Sequence, residues 1–153
     1  MPRIYTVELA NTSVSGAITL IQIKPGISSI QLIRAKVTQS STTTSTQLDV
    51  AIGTSTGAAT VTSATPKPHD LDGAAAKAVG GSSATGTNAS GEGASQTDII
   101  RDSFNYLTGW EKIFVPEERI EVAGGGGTFL YLRFPSAPSA TTFNATLTFA
   151  EVG

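Results

Sequence analysis

The chain has one histidine, His69, set in TPKPHDLDGAAAKA (residues 65–78) between two prolines and two aspartates. An imidazole beside a carboxylate is the raw material of general-base catalysis, so the candidate constellation is His69 with Asp70 or Asp72 and one of the many serines. The spacing speaks against it. Carboxylates adjacent in sequence rarely present triad geometry, and serine is so abundant in the chain that pairing one with the histidine carries no information. Asp70, Asp72 and Gly73 also open like a calcium loop, but Ala74, Ala75 and Ala76 follow where further oxygen ligands would be needed. A helix N-cap is the better reading of these aspartates, with two helical turns over residues 72–79 ended by Gly80 and Gly81.

Three other stretches invite the same question. The glycines at 124–127 lack the lysine and following helix of a phosphate-binding loop and lead instead into TFLYLRF, so they predict a turn between strands. Glu117, Glu118 and Glu121 could form a glycosidase pair, yet with Pro116 before them and Arg119 among them they read as a solvated turn. Trp110 or Tyr106 could be a stacking platform, although a lone tryptophan in a small β domain is usually core. The residues therefore predict no catalytic group, no cofactor site and no metal site.

The elements that must position these residues are strands. Apolar residues recur with period two: Tyr5, Val7 and Leu9; Leu48, Val50 and Ile52; Phe143, Ala145, Leu147 and Phe149. GAITLIQI is almost continuously apolar, as for a strand covered on both faces. SIQLIRAKVTQ, TFLYLRF, DSFNYLTGW and EKIFVP complete about eight short strands, which predict one all-β domain over residues 1–153, an antiparallel β-sandwich resembling a jelly roll. Val7, Ile21, Ile33, Val50, Leu107, Leu132, Leu147 and Phe149 are its expected core.

Composition narrows the function classes. The 153 residues carry 10 basic and 12 acidic side chains, net charge −2, scattered singly, which favours neither nucleic acid nor a membrane surface as partner. There is no cysteine, hence no disulfide and no thiolate nucleophile. No run of about 18 apolar residues and no signal-peptide core occur, so the expectation is a soluble protein made in the cytoplasm, with the sequons at Asn11, Asn88 and Asn144 arising by chance.

Residues 54–97 break the pattern with Gly, Ala, Ser and Thr, far beyond the usual connection of about 4 to 6 residues. The expectation is a long inserted arm, ordered only by a neighbouring molecule, with Pro66, Pro68, His69, Asp70, Leu71 and Asp72 as its docking segment.

Four stretches, MPRIYTVELANTSV, TPKPHDLDGAAA, DSFNYLTGW with VPEER, and SATTFNATLTFAEV, give the chain an end-to-end resemblance to tailed-phage head decoration, or cement, proteins. The most specific parts are residues 103–110 and 116–119. The resemblance implies a non-catalytic virion structural protein on the capsid surface, with the major capsid protein as partner and a homotrimer as the self-assembled form. It departs at His69, where the family carries an apolar residue, so this histidine is no catalytic group of the family. The alternative is a receptor- or carbohydrate-binding sandwich of a phage tail or fibre.

Overall fold

The computed structural model describes residues 2–41, 43–83, 92–139 and 141–153. Two antiparallel sheets pack face to face as a β-sandwich, and the helical content of the described residues is one 3-10 turn, Pro116–Glu118. The strands are β1 (Arg3–Val14), β2 (Thr19–Lys24), β3 (Ser29–Gln39), β4 (Gln47–Ser55), β5 (Thr62–Ser63) and β6 (Lys67–Pro68), then β7 (Val79–Ser82), β8 (Thr97–Asn105), β9 (Trp110–Ile113), β10 (Glu121–Val122), β11 (Phe129–Arg133) and β12 (Thr141–Val152). The first sheet runs β10-β3-β12-β1-β6, with β9 sharing the β10 edge of β3; the second runs β5-β7-β2-β11-β4-β8.

At the centre of the first sheet, β12 is regular, burying Phe143, Ala145, Leu147 and Phe149 and turning Thr142, Asn144, Thr146 and Thr148 outward. Both of its neighbours carry a bulge against it. In β1 the register slips between Leu9 and Thr12, with Asn11 at φ 47°, so the buried phase passes from Tyr5, Val7 and Leu9 to Thr12 and Val14. In β3 the slip falls at Ile33, which has no partner on β12; Ile30 and Leu32 point inward before it and Ala35 and Val37 after it. Ile33, expected in the core, is therefore only half-buried.

Leu107, also expected inside, is 53% exposed. Strand β8 ends at Asn105, and the turn that follows hydrogen-bonds back on it, with Leu107 N donating to Asn105 Oδ1 and Thr108 N to Asn105 O. Phe104 and Tyr106 take the inward positions instead. Tyr106 and Phe134 each meet Phe143 edge-on at ring-centroid distances of 5.7 and 4.8 Å, tying the two sheets together at one end. The other six expected core residues are buried.

Residues 54–83 are laid on their own sandwich, contrary to the expectation of an arm ordered only by a neighbour. Ala59 N donates to Gln22 Oε1 over the outer face of the second sheet, β5 and β7 extend that sheet beyond β2, and β6 pairs with β1 on the first. The chain thus crosses from one sheet edge to the other and back, closing that side of the sandwich. Its small residues serve close backbone approach rather than disorder. A Cβ built on Gly80 would lie 2.3 Å from Ala64 O and 2.8 Å from Val7 Cγ2. The expected helix over 72–79 is absent: Gly73 N bonds to Asp70 O in a tight turn, Tyr5 Oη donates to Ala74 O, and Glu151 Oε1 accepts from Lys77 N and Ala78 N. So short a helix is marginal alone, and these tertiary partners hold the chain extended. Asn88 and the stretch 84–91 lie outside the described residues.

This packing makes a deletion of residues 80–95 destabilising, since it removes β7, where the bare sequence suggests a dispensable loop. The finer measurement is a thermal melt of Gly80→Ala, expected to lose about 1–3 kcal/mol and lower Tm by roughly 3–10 °C. Gly127→Ala, whose added Cβ would meet nothing within 4 Å, serves as the unchanged control.

Candidate functional site

The docking segment starts as the edge of the first sheet. Pro68 pairs with Tyr5 and Lys67 with Thr6, while Pro66 just before them is buried. Proline suits an edge because it has no N–H to offer a further strand. His69 N continues the pairing by donating to Ile4 O at 3.0 Å. The His69 ring lies on the outer face, Nε2 2.7 Å from Thr6 Oγ1, which is 3.0 Å from Thr148 Oγ1. These partners are hydroxyls, with no carboxylate in the chain of contacts, so the sequence neighbours Asp70 and Asp72 do not make a dyad with the imidazole. Beyond His69 the backbone turns, and Leu71 stands at its tip 104% exposed between exposed Asp70 and Asp72.

The outer face beside this segment is a lattice of cross-strand rows. One runs Lys67, Thr6, Thr148, Arg34, Ile113, and the next Glu8, Thr146, Lys36, Glu111. Lys67 pairs with Glu8, and Arg34 with Glu111 at 2.5 Å, so most of the charge is compensated within the face. Threonine suits the half-exposed pleat of such a sheet, and its hydroxyls remain available to water or a partner.

The other sequence candidates are dispersed. Trp110 is half-buried against the core and its Nε1 donates to Asp102 Oδ2 at 3.1 Å, bridging β9 of one sheet to β8 of the other. Tyr106 is buried, its hydroxyl accepting from Ser139 N, which removes it as a stacking platform. Glu117 and Glu118 sit in the 3-10 turn, and Glu121 on β10 accepts from Gln31 Nε2 at 2.9 Å. The glycines at 124–127 connect β10 to β11, as expected of a turn. Among the described residues no group of three or more His, Cys, Asp or Glu side chains could hold a metal ion, and no helix is long and apolar enough to cross a membrane.

One polar cluster was not foreseen. On the outer face of the second sheet, Asp98 Oδ1 accepts from Tyr131 Oη at 2.5 Å and Arg133 Nε at 3.0 Å, and Asp98 Oδ2 from Arg133 Nη2 at 2.7 Å. Arg133 holds the Asp98 carboxyl below the usual carboxylate range, while burial and the bond to Asp98 push the Tyr131 phenol up. Beside it, hydrogen bonds from Ser103 and Arg101 lower Asp49. The only sequence signal was that Tyr131 and Arg133 share one phase of TFLYLRF; their partner lies 33 residues away from Tyr131. The cluster is saturated with internal bonds and stitches β8 to β11 across β4.

No family model matches this chain, and no curated protein matches it. A search of solved structures finds a mutant VP2 protein of infectious bursal disease virus in derived T=1 particles, 11% identical with a TM-score of 0.19. The match covers 99% of this chain but spans only 40% of that one. A TM-score this low supports no inference about fold or function.

The Asp98 cluster sets the pH response. Its folded pKa is depressed, so its contribution is complete above the unfolded value near 4 and is lost as pH falls through the folded value. Asp98→Asn should cost about 1–2 kcal/mol at neutral pH and flatten the loss of stability below about pH 4, read from denaturant melts across pH. Tyr131, with its pKa raised, has the opposite sign: its contribution is complete below about pH 10 and is lost above it.

Proposed function

We propose that this protein is a non-catalytic decoration protein that binds the outer surface of a phage capsid, stabilises it, and self-associates there as a trimer. The end-to-end sequence resemblance supplies the class, the capsid partner and the trimer. The observation that carries the reading onto the molecule is the outer face of the first sheet: rows of Thr6, Thr148 and Thr146 framed by compensated ion pairs, on a rigid ladder centred on β12.

Such a face suits a wide, wet contact repeated many times. A capsid offers many identical positions, so modest affinity per copy becomes effective when neighbouring copies share contacts. Near-neutrality also avoids the salt-dependent attraction of a strongly charged patch. The buried Tyr106 and tethered Trp110 lend no support to a sugar platform.

The test is co-sedimentation with capsids of the parent particle stripped of this protein. The wild type should bind with a saturable stoichiometry. Thr146→Arg places a long cation between Glu8 and Lys36, which the fold tolerates, and should weaken binding by about tenfold with an unchanged melt. His69→Ala should leave binding and virion yield unchanged within error. Absence of wild-type binding to stripped capsids sinks the decoration reading.

A further inference from the structure

Leu71 is an exposed apolar tip between two carboxylates, and the same chain carries a surface of the opposite character. Near the β2–β3 and β10–β11 turns, Lys24, Pro25, Ile27, Lys77, Gly125 and Gly126 line an open groove of about 630 Å³. Its floor is apolar, formed by Pro25 and by Ile27, which is 78% exposed. Lys24 and Lys77 flank it. Among the described residues neither lysine forms an ion pair, and the ammonium of Lys24 instead rests 5.8 Å from the Phe129 ring centroid. Asp70 and Asp72 likewise form no ion pair among the described residues.

We infer that the Asp70-Leu71-Asp72 tip of one copy seats in the Lys24, Ile27 and Lys77 groove of another copy, with Leu71 on the apolar floor and the aspartates toward the lysines. The occupant is a second copy because the charge pattern of the tip, minus-apolar-minus, is the complement of the groove's plus-apolar-plus on the same chain. A leucine anchor ringed by compensating charges is the arrangement that gives an interface both a desolvated centre and a registered rim. Fully exposed in the single chain, Leu71 loses no internal contact on docking. The tip is presented stiffly, since β6 pairs with β1 on one side and the Asp70–Gly73 turn closes the other. Such a contact is either made twice across a two-fold axis or passed from copy to copy, closing into a ring or extending as a chain.

This inference rests on the self-association part of the proposed function and is independent of capsid binding. Sedimentation velocity over a concentration series, at low and high salt, reads it directly. The wild type should associate reversibly and more weakly at high salt. Leu71→Asp should raise the dissociation constant by about tenfold or more, and Lys24→Glu with Lys77→Glu by about tenfold. Adding Asp70→Lys and Asp72→Lys to that lysine reversal should restore association. All five positions are on the surface, and an unchanged circular dichroism melt establishes folding for each variant. A wild type that stays monomeric overturns both this contact and the self-association reading. An associating wild type whose dissociation constant is unmoved by Leu71→Asp or the lysine reversal, or not restored by the four-site exchange, overturns this contact alone, and the stripped-capsid assay reports separately on decoration.

Discussion

The pairing of β12 with β1 on one side and β3 on the other is the constraint on which the rest of the molecule depends. It joins the end of the chain to its beginning and holds the central strand of the first sheet in register with each neighbour. Because β12 keeps strict alternation, any irregularity must be taken up by its partners, and each takes it up as a bulge. Those bulges decide which residues of β1 and β3 reach the core. They also keep the threonine side of β12 facing out as an unbroken row. A regular central strand flanked by two adjusted ones is a stiff platform, which suits the docking proposed for this face.

The open side of this platform beyond β1 is closed by the same segment that presents the Leu71 tip. Residues 54–83 bond to the outer face of the second sheet, add strands to both sheets and bring Gly80 against Val7. Ordering a backbone costs roughly 1–2 kcal/mol per residue, so a segment with few large apolar groups must be fixed by hydrogen bonds and close contact. Those bonds are present, to β1 and β2 and within the segment. From this fixed segment Leu71 projects fully exposed between Asp70 and Asp72, which form no ion pair among the described residues. On the far side, Trp110 with Asp102 ties β9 to β8, so each open side has its own closure.

Electrostatics divides the two outer faces. The second sheet concentrates its ionisable groups in the Asp98, Tyr131 and Arg133 cluster and the Asp49, Arg101 and Ser103 cluster, where each carboxylate is satisfied by neighbours on adjoining strands. Such a face is stabilising in itself and has little unspent hydrogen-bonding capacity. The first sheet spreads hydroxyls between compensated pairs and keeps that capacity open. The difference assigns stability to one face and availability to the other.

Fold class and strand identity were legible in the sequence, because inward and outward residues alternate along a strand whatever it pairs with. Tyr5, Val7, Leu9 and the four inward residues of β12 stand where that alternation puts them. The turn at 124–127 and the solvated glutamates of residues 117–118 were also readable from local chemistry. The positions of Ile33 and Leu107 were not: the first depends on a bulge set by β12, the second on where β8 gives way to a turn. Residues 54–83 were misread as free for the same reason, since glycine and serine carry no apolar pattern and their role lies in how closely another strand can approach. Candidate docking residues 66–72 were visible as a motif, but the sequence could not say that Pro66 is buried, that His69 meets Thr6, or that Leu71 stands fully exposed at the turn. Local periodicity determines what one strand does; register between strands distant in the chain is decided only when their side chains share one core.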